Sequence, residues 1–334
     1  MNPVSYLGID VGSISMNLVV IDPASGVIYE DYRRVGGDTI RTVQDSLNDM
    51  YDTLPEAEAI GAVGVTGSGR QVIAAMVGAD VVKNEISAHA RATVHLHPEV
   101  QTIFEIGGQD SKMTVVRDRV VEDFAMNLVC AAGTGSFLDS QAKRLDISIE
   151  ELSEKSVESE NPTNIAGRCT VFAETDMIHK QQTGHRQEDI LMGLCHAMVR
   201  NFLSNVCCGK EIREPIVLQG GISANKGIRR AFEEALECDL IIPRHNMVMG
   251  AYGAALIAMQ ADVVQSSFRG RGVCERTIET QSFECTDCPN HCEIVEIVDG
   301  DVVLGRSGGR CRKWEGEGHT AEHQTSNVER RTSK

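Results

Sequence analysis

The chain has 334 residues, a formal charge of -16, 4% aromatic residues and 31 glycines. That length fits two domains better than one core, and the acidic balance repels phosphate backbones, which argues against nucleic acid as a partner. The start, MNPVSYLGIDVG, lacks the basic, apolar and small-residue regions of a signal peptide, and no window reaches about 18 uninterrupted apolar residues, so no membrane and a cytoplasmic location are expected. Eleven cysteines in such a compartment stay reduced, and the clustered ones point to metal or cluster binding.

Residues 6–21, YLGIDVGSISMNLVVI, read as two apolar strands joined by a Gly/Ser turn, with Asp10 ending the first. Helices are predicted over 39–53 and 85–97. Residues 103–116, IFEIGGQDSKMTVV, repeat the hairpin layout, with an acidic residue before Gly107-Gly108 and Asp110 at the tip, so the chain reads as internally duplicated. A helix over 133–145 follows a Gly-rich turn, a long apolar helix covers 187–208, and a strand at 215–218 enters the turn Gln219-Gly220-Gly221 before a helix at 225–237. An apolar helix at 249–259 completes an alternating α/β pattern. Beyond about residue 264 the composition turns polar and cysteine-rich, and 315–334 read as a disordered tail.

Paired hairpins with Gly, Ser and Asp at their tips suit a nucleotide whose phosphates sit in a cleft between domains. Glycines admit backbone N–H groups to phosphate oxygens, hydroxyls add donors, and carboxylates hold Mg2+ through water. Asp10, Gly12, Ser13 and Ser15 form the first tip, and Gly107, Gly108, Gln109 and Asp110 the second, where Gln109 or Asp110 would orient an attacking water. The turn at Gly220-Gly221, with Ser223, Asn225 and Lys226 after it, suits an adenosine lying against backbone. No G-x-x-x-x-G-K-[ST] occurs, which excludes a P-loop.

GIDVGSIS, EIGGQDSK and QGGISANKG resemble the phosphate-1, phosphate-2 and adenosine motifs of the acetate kinase, sugar kinase, Hsp70 and actin superfamily over residues 6–258. The wording is most similar to the BadF/BadG/BcrA/BcrD group, above all the activators of 2-hydroxyacyl-CoA dehydratases. The resemblance implies a two-domain actin-like α/β fold: residues 1–96, completed by a helix at 247–262, as one subdomain, and 97–246 as the other. It also implies that ATP and Mg2+ are bound, with Lys112, Gly133 and Gly135 joining the tips, and that hydrolysis drives an electron from a bridging [4Fe–4S] cluster to a partner enzyme.

Cys130 in NLVCAAGTGSF and Cys169 in GRCTVFAETDM stand before helical stretches, where partial positive charge favours a thiolate. Both match the family's two cluster ligands. Two ligands per chain leave a cubane half-filled, so a homodimer is implied, with ferredoxin or flavodoxin as donor and a separate metalloenzyme as acceptor. Cys195, Cys207, Cys208 and Cys238 read as packing residues.

Cys285, Cys288 and Cys292 in ECTDCPNHCEI, with Cys311 after an apolar hairpin, form a metal-like set in a segment spanning 265–314. Zinc and a second Fe–S cluster both fit this spacing, with His291 and Cys274 as spare ligands. Compact activators end before this appendage, which resembles the segment after the first ATPase domain of long CoA-enzyme activases, so the resemblance leaves three acceptors open: a dehydratase, a benzoyl-CoA reductase type enzyme or a double-cubane reductase. The competing class is a non-redox member of the superfamily, a small-molecule kinase or an ATP-driven interaction protein with a structural zinc tail.

Overall fold

The computed structural model describes residues 4–54, 59–127, 131–311 and 313–314. The chain forms two units, residues 1–88 with 250–334, and residues 89–249. Their division falls inside the helix Glu85–Leu96.

In the first unit β1 (Ser5–Val11), β2 (Ser15–Asp22), β3 (Gly26–Arg34), β4 (Ile60–Thr66) and β5 (Val81–Val82) make a sheet of order β3-β2-β1-β4-β5. The first three strands run as an antiparallel meander, and β4 and β5 add in parallel. Helix α1 (Thr39–Thr53) starts where the Asp38 carboxylate accepts from the Arg41 N–H at 2.9 Å, and it buries Val43, Leu47, Met50 and Tyr51, one helical stripe. Helices α2 (Arg70–Val77) and α3 (Glu85–Leu96) follow.

The second unit repeats the plan. β6 (Thr102–Ile106), β7 (Ser111–Arg117), β8 (Val120–Met126), β9 (Ile216–Gln219) and β10 (Leu240–Ile241) are ordered β10-β9-β6-β7-β8, again an antiparallel meander extended by two parallel strands. The duplication read from two hairpins thus extends to whole sheets. Helices α4 (Gly135–Arg144), α5 (Ile149–Ser156), α6 (Thr170–Gln182), α7 (Gln187–Asn205) and α8 (Lys226–Leu236) accompany this sheet. Phe104 of β6, Phe202 of α7 and Phe232 of α8 meet with ring centroids 5.0 to 5.5 Å apart and pin both helices to it.

Helix α9 (Met249–Gln260) returns to the first unit and lies directly on β1 and β4. Gly8 and Gly64 are register partners on those strands. A Cβ on Gly8 would stand 1.9 Å from the Ala251 carbonyl oxygen, and one on Gly64 2.2 Å from that of Ala254. Only glycine lets the helix backbone approach the sheet this closely.

The cysteine-rich segment is no independent appendage. β11 (Ile278–Glu284), β12 (Glu293–Asp299) and β13 (Val302–Ser307) form an antiparallel sheet whose Ile278, Ile297 and Leu304 enter the same core as Leu7, Ile9 and Met76. The Gln44 amide ties it further, donating to the carbonyls of Val273 and Arg276 at 3.0 and 2.9 Å. No helix among the described residues is long and apolar enough to cross a membrane.

Gly8→Ala is expected to lower unfolding free energy by about 2 to 3 kcal/mol through overpacking against α9. Gly36→Ala, where nothing lies within 4 Å of the added methyl, should change it little. Chemical denaturation of both variants measures the difference.

Candidate functional site

The acid that ends each central strand sits in the same register environment in both units. Asp10 of β1 lies between Asn17 of β2 and Thr66 of β4, while Glu105 of β6 lies between Lys112 of β7 and Gln219 of β9. Each triad is followed by a hairpin closed in the same way, the Gly12 N–H donating to the Ser15 carbonyl at 2.9 Å and the Gly107 N–H to that of Asp110 at 3.0 Å. Each parallel strand then leaves through a left-handed glycine, Gly67 at φ +89 and Gly220 at φ +88. A Cβ there would meet the Val11 carbonyl oxygen at 2.3 Å or that of Ile106 at 2.6 Å, so neither position admits another residue without displacement.

The two triads differ in how fully they are satisfied. In the first, Asp10 is 8% exposed and takes a long 3.4 Å contact from the Asn17 amide, while Asn17 Oδ1 and Thr66 Oγ1 are buried without partners. Buried polar atoms left open cost about 1 to 3 kcal/mol each, so this edge is set for a ligand or its water. Its donors are all oxygen, which fits a hard, water-retaining cation such as Mg2+.

In the second, the polar groups close on one another. The Lys112 side chain is 1% exposed, and its ammonium lies 3.0 Å from Glu105 Oε1 and 2.9 Å from Asp110 Oδ2. Glu105 also lies 3.4 Å from His89 Nε2, and the Gln219 amide reaches His89 Nδ1 at 2.9 Å while accepting from the Thr93 hydroxyl at 2.7 Å. The loop itself is anchored on α4, whose Gly135 and Ser136 N–H groups donate to the carbonyls of Gly107 and Gly108 at 2.9 and 2.8 Å. Gly133 ends the short 3-10 turn before that helix.

The loop after β9 is knit by Asn246, whose carbonyl accepts from the Gly220 N–H at 2.8 Å and whose amide donates to Ser223 Oγ at 2.7 Å. Asn225 caps α8, its Oδ1 accepting from the Ile228 N–H at 3.0 Å, and its buried Nδ2 has no partner. Lys226 pairs with Glu154 of α5 at 2.7 Å, both half exposed.

Cys169 is the N-cap residue of α6, partly exposed, with no side-chain capping bond, and Val171 and Phe172 beside it are each 66% exposed. A thiol there, with the helix N–H groups beyond it, fits a thiolate ligand. Cys130 lies outside the described residues, as do 315–334. Burial pushes the thiols of Cys195 and Cys207 up to about 12 and that of Cys274 up to about 11, and all three pack within the apolar cores of their units. His291 contacts Glu284 at 2.6 Å. Among the described residues no three His, Cys, Asp or Glu side chains are gathered as a formed metal site, the four tail cysteines included.

Sequence reasoning left Asn17, Thr66, Gly67, Glu105, His89 and Gln219 unassigned. Glu105 and Lys112 were accessible, because a tight hairpin over 103–116 makes them cross-strand partners and a lysine inside an apolar strand needs a carboxylate. His89 and Gln219 meet only through the tertiary fold, 130 residues apart.

Residues 7–258 match the BadF/BadG/BcrA/BcrD ATPase family. The chain is 34% identical over 254 residues to the 2-hydroxyisocaproyl-CoA dehydratase activator of Clostridioides difficile, covering 75% of this chain and 94% of that one. It is 32% identical over 252 residues to the (R)-2-hydroxyglutaryl-CoA dehydratase activating ATPase of Acidaminococcus fermentans, covering 75% and 96%. The solved structure of the Clostridium difficile activator with bound ADPNP superposes with a TM-score of 0.71 at 32% identity, over 77% of this chain and 95% of that one. The third sheet lies beyond the matched residues. With duplicated sheets, paired acid-centred triads and a match across most of its length, the chain has the actin-like ATPase fold and belongs to the BadF/BadG/BcrA/BcrD ATPase family.

Proposed function

We propose that this chain hydrolyses MgATP and uses the event to send one low-potential electron from a [4Fe–4S] cluster, shared by two copies of the chain, to a separate metalloenzyme. The observation that carries the reading is the open Asp10 triad beside a glycine turn, in a chain 34% identical to a dehydratase activator. Asp10, with Asn17 Oδ1 and Thr66 Oγ1 at hand, holds the water shell of Mg2+. Backbone N–H groups of residues 12–15 and 107–110 receive phosphate oxygens, and the loop from Gly220 to Lys226 receives the adenosine. Asn225 Nδ2 has hydrogen-bonding capacity to give there. Gln109 and Asp110 orient the attacking water, and Lys112 fixes the Asp110 carboxylate from behind.

Cys130 and Cys169 of each chain supply the four thiolates, which requires a homodimer. When bound, the cluster supplies the electron that ferredoxin or flavodoxin replenishes. The α6 N-terminus stabilises the thiolate at Cys169, and the exposed Val171 and Phe172 offer apolar surface for a second chain to cover. The acceptor is a 2-hydroxyacyl-CoA dehydratase, the partner class named for the relatives of this chain, or else a benzoyl-CoA reductase type enzyme or a reductase of double-cubane type. A cytoplasmic location accords with oxygen-sensitive thiolate ligation.

Asp110→Asn is expected to lower kcat for ATP hydrolysis by about 100-fold while iron content stays constant; unchanged turnover would remove Asp110 from the mechanism. Lys112→Met should lower kcat far more than it raises KM, with partial recovery in Lys112→Arg, because it positions Asp110 rather than binding substrate. Anaerobic preparations should carry about two irons per chain, and Cys169→Ala should lose them while still binding ATP. Iron retained in that variant would sink the cluster assignment.

A further inference from the structure

Four thiols at one end of the third sheet take no part in the ATPase reading. β11 ends opposite the start of β12, with Glu284 paired to Glu293. One position further on, the Cys285 N–H donates to the Cys292 carbonyl at 2.8 Å and closes a loop that contains Cys288. His291 takes a left-handed conformation in it, φ 45, and its N–H donates to the Cys288 carbonyl at 3.3 Å.

The fourth thiol arrives by sheet topology. β13 is antiparallel to β12 with Ser307 opposite Val295, so the chain leaves the sheet at the end where the cysteine loop lies. Gly308, at φ +104 and packed against the Glu293 carbonyl, turns it along that end, toward Cys311. The chain beyond is fastened to the loop. Trp314 Nε1 donates to Cys285 Sγ at 3.3 Å, its ring stands edge-on to Phe283 at 5.1 Å, and Lys313 pairs with Asp287.

We propose that Cys285, Cys288, Cys292 and Cys311 form a four-thiolate site for one tetrahedral zinc ion. Three thiols in a loop closed by a single cross-strand pair, with one more from a returning strand, enclose one ion with Zn–S distances of about 2.3 Å. Cys288 and Cys311 are exposed and Cys292 partly so, unlike the packed Cys195, Cys207 and Cys274. Zinc with four thiolates carries two negative charges, which Lys313 and the indole N–H of Trp314 offset. The four thiols are not gathered on one point in the structure, so an ion draws the exposed Cys288 and Cys311 onto the loop closed by the Cys285–Cys292 backbone bond. The site is independent of the ATPase reading and of the cluster at Cys169.

The test is metal analysis of the full chain purified anaerobically and passed over a chelating column. About one zinc per chain is expected to survive, to be released by a mercurial thiol reagent, and to fall at least about tenfold in Cys288→Ser and Cys311→Ser, with ATP binding and Cys169-dependent iron unchanged. Cobalt exchanged into the wild-type chain should give a thiolate-to-metal charge-transfer band and quench Trp314, the only tryptophan. Absence of retained zinc, zinc unchanged in both variants, or loss of iron instead of zinc from them would each overturn the proposal. The cobalt measurement needs no variant, so a folding defect in either serine substitution leaves the proposal open to refutation.

Discussion

A lysine ammonium with 1% of its side chain exposed stays charged only if carboxylates accompany it, and the second unit is arranged around that requirement. Glu105 enters as its cross-strand partner and Asp110 meets it from the loop. Glu105 then has to be satisfied on its other side, which draws in His89, and His89 in turn orders Gln219 at the end of β9. Removing one member of such a buried set costs about 3 to 5 kcal/mol, because the remaining charge is left uncompensated. The result is that the tip at Gly107–Asp110 and the turn at Gly220 are held by one polar network, and each element of that loop pair depends on the other's side chains.

The first unit uses the same positions to opposite effect. Where the second places Lys and Gln beside the strand-end acid, the first places Asn and Thr, shorter groups that cannot bridge to a second layer. Asn17 Oδ1 and Thr66 Oγ1 therefore remain open next to Asp10. Duplication has supplied two acid-centred strand ends, and side-chain length has made one of them self-sufficient and left the other dependent on something added. This asymmetry leaves Asp10 beside unsatisfied oxygen atoms, whereas Asp110, 40% exposed, is anchored from behind by Lys112.

Much of this was legible locally. The hairpins declared themselves by strand periodicity around Gly-rich turns, and α1 by its amphipathic pattern. The strands β3, β4 and β8 were not, since GVIYEDYRR and VVEDFAM carry charges typical of edge strands and IGAVGVT carries two glycines in its interior. Gly67 went unassigned because its reason lies in the Val11 carbonyl beside it, a contact created only when β4 docks on β1. The cysteine-rich segment read as a polar appendage because its apolar residues alternate with charged ones, yet that alternation is what lets one face of the sheet enter the core of the first unit.

Helix α2 connects these observations within the first unit. Its N-cap residue is Gly69, whose N–H donates to the Val11 carbonyl at 2.9 Å, two positions beyond Gly67. On the same helix, Ala75 stands so close to Gly305 of β13 that a Cβ on that glycine would approach its methyl to 2.5 Å, and Arg269 binds the carbonyls of Ala75 and Met76 at 2.6 and 3.1 Å. A helix of 8 residues thus has the open Asp10 triad at one end and the third sheet packed along the other. Because close-packed elements transmit displacement rather than absorb it, the sheet that carries the four cysteines helps to set where Thr66 and Gly67 stand, and the Asp10 edge of this unit is braced by residues beyond the family's shared 7–258.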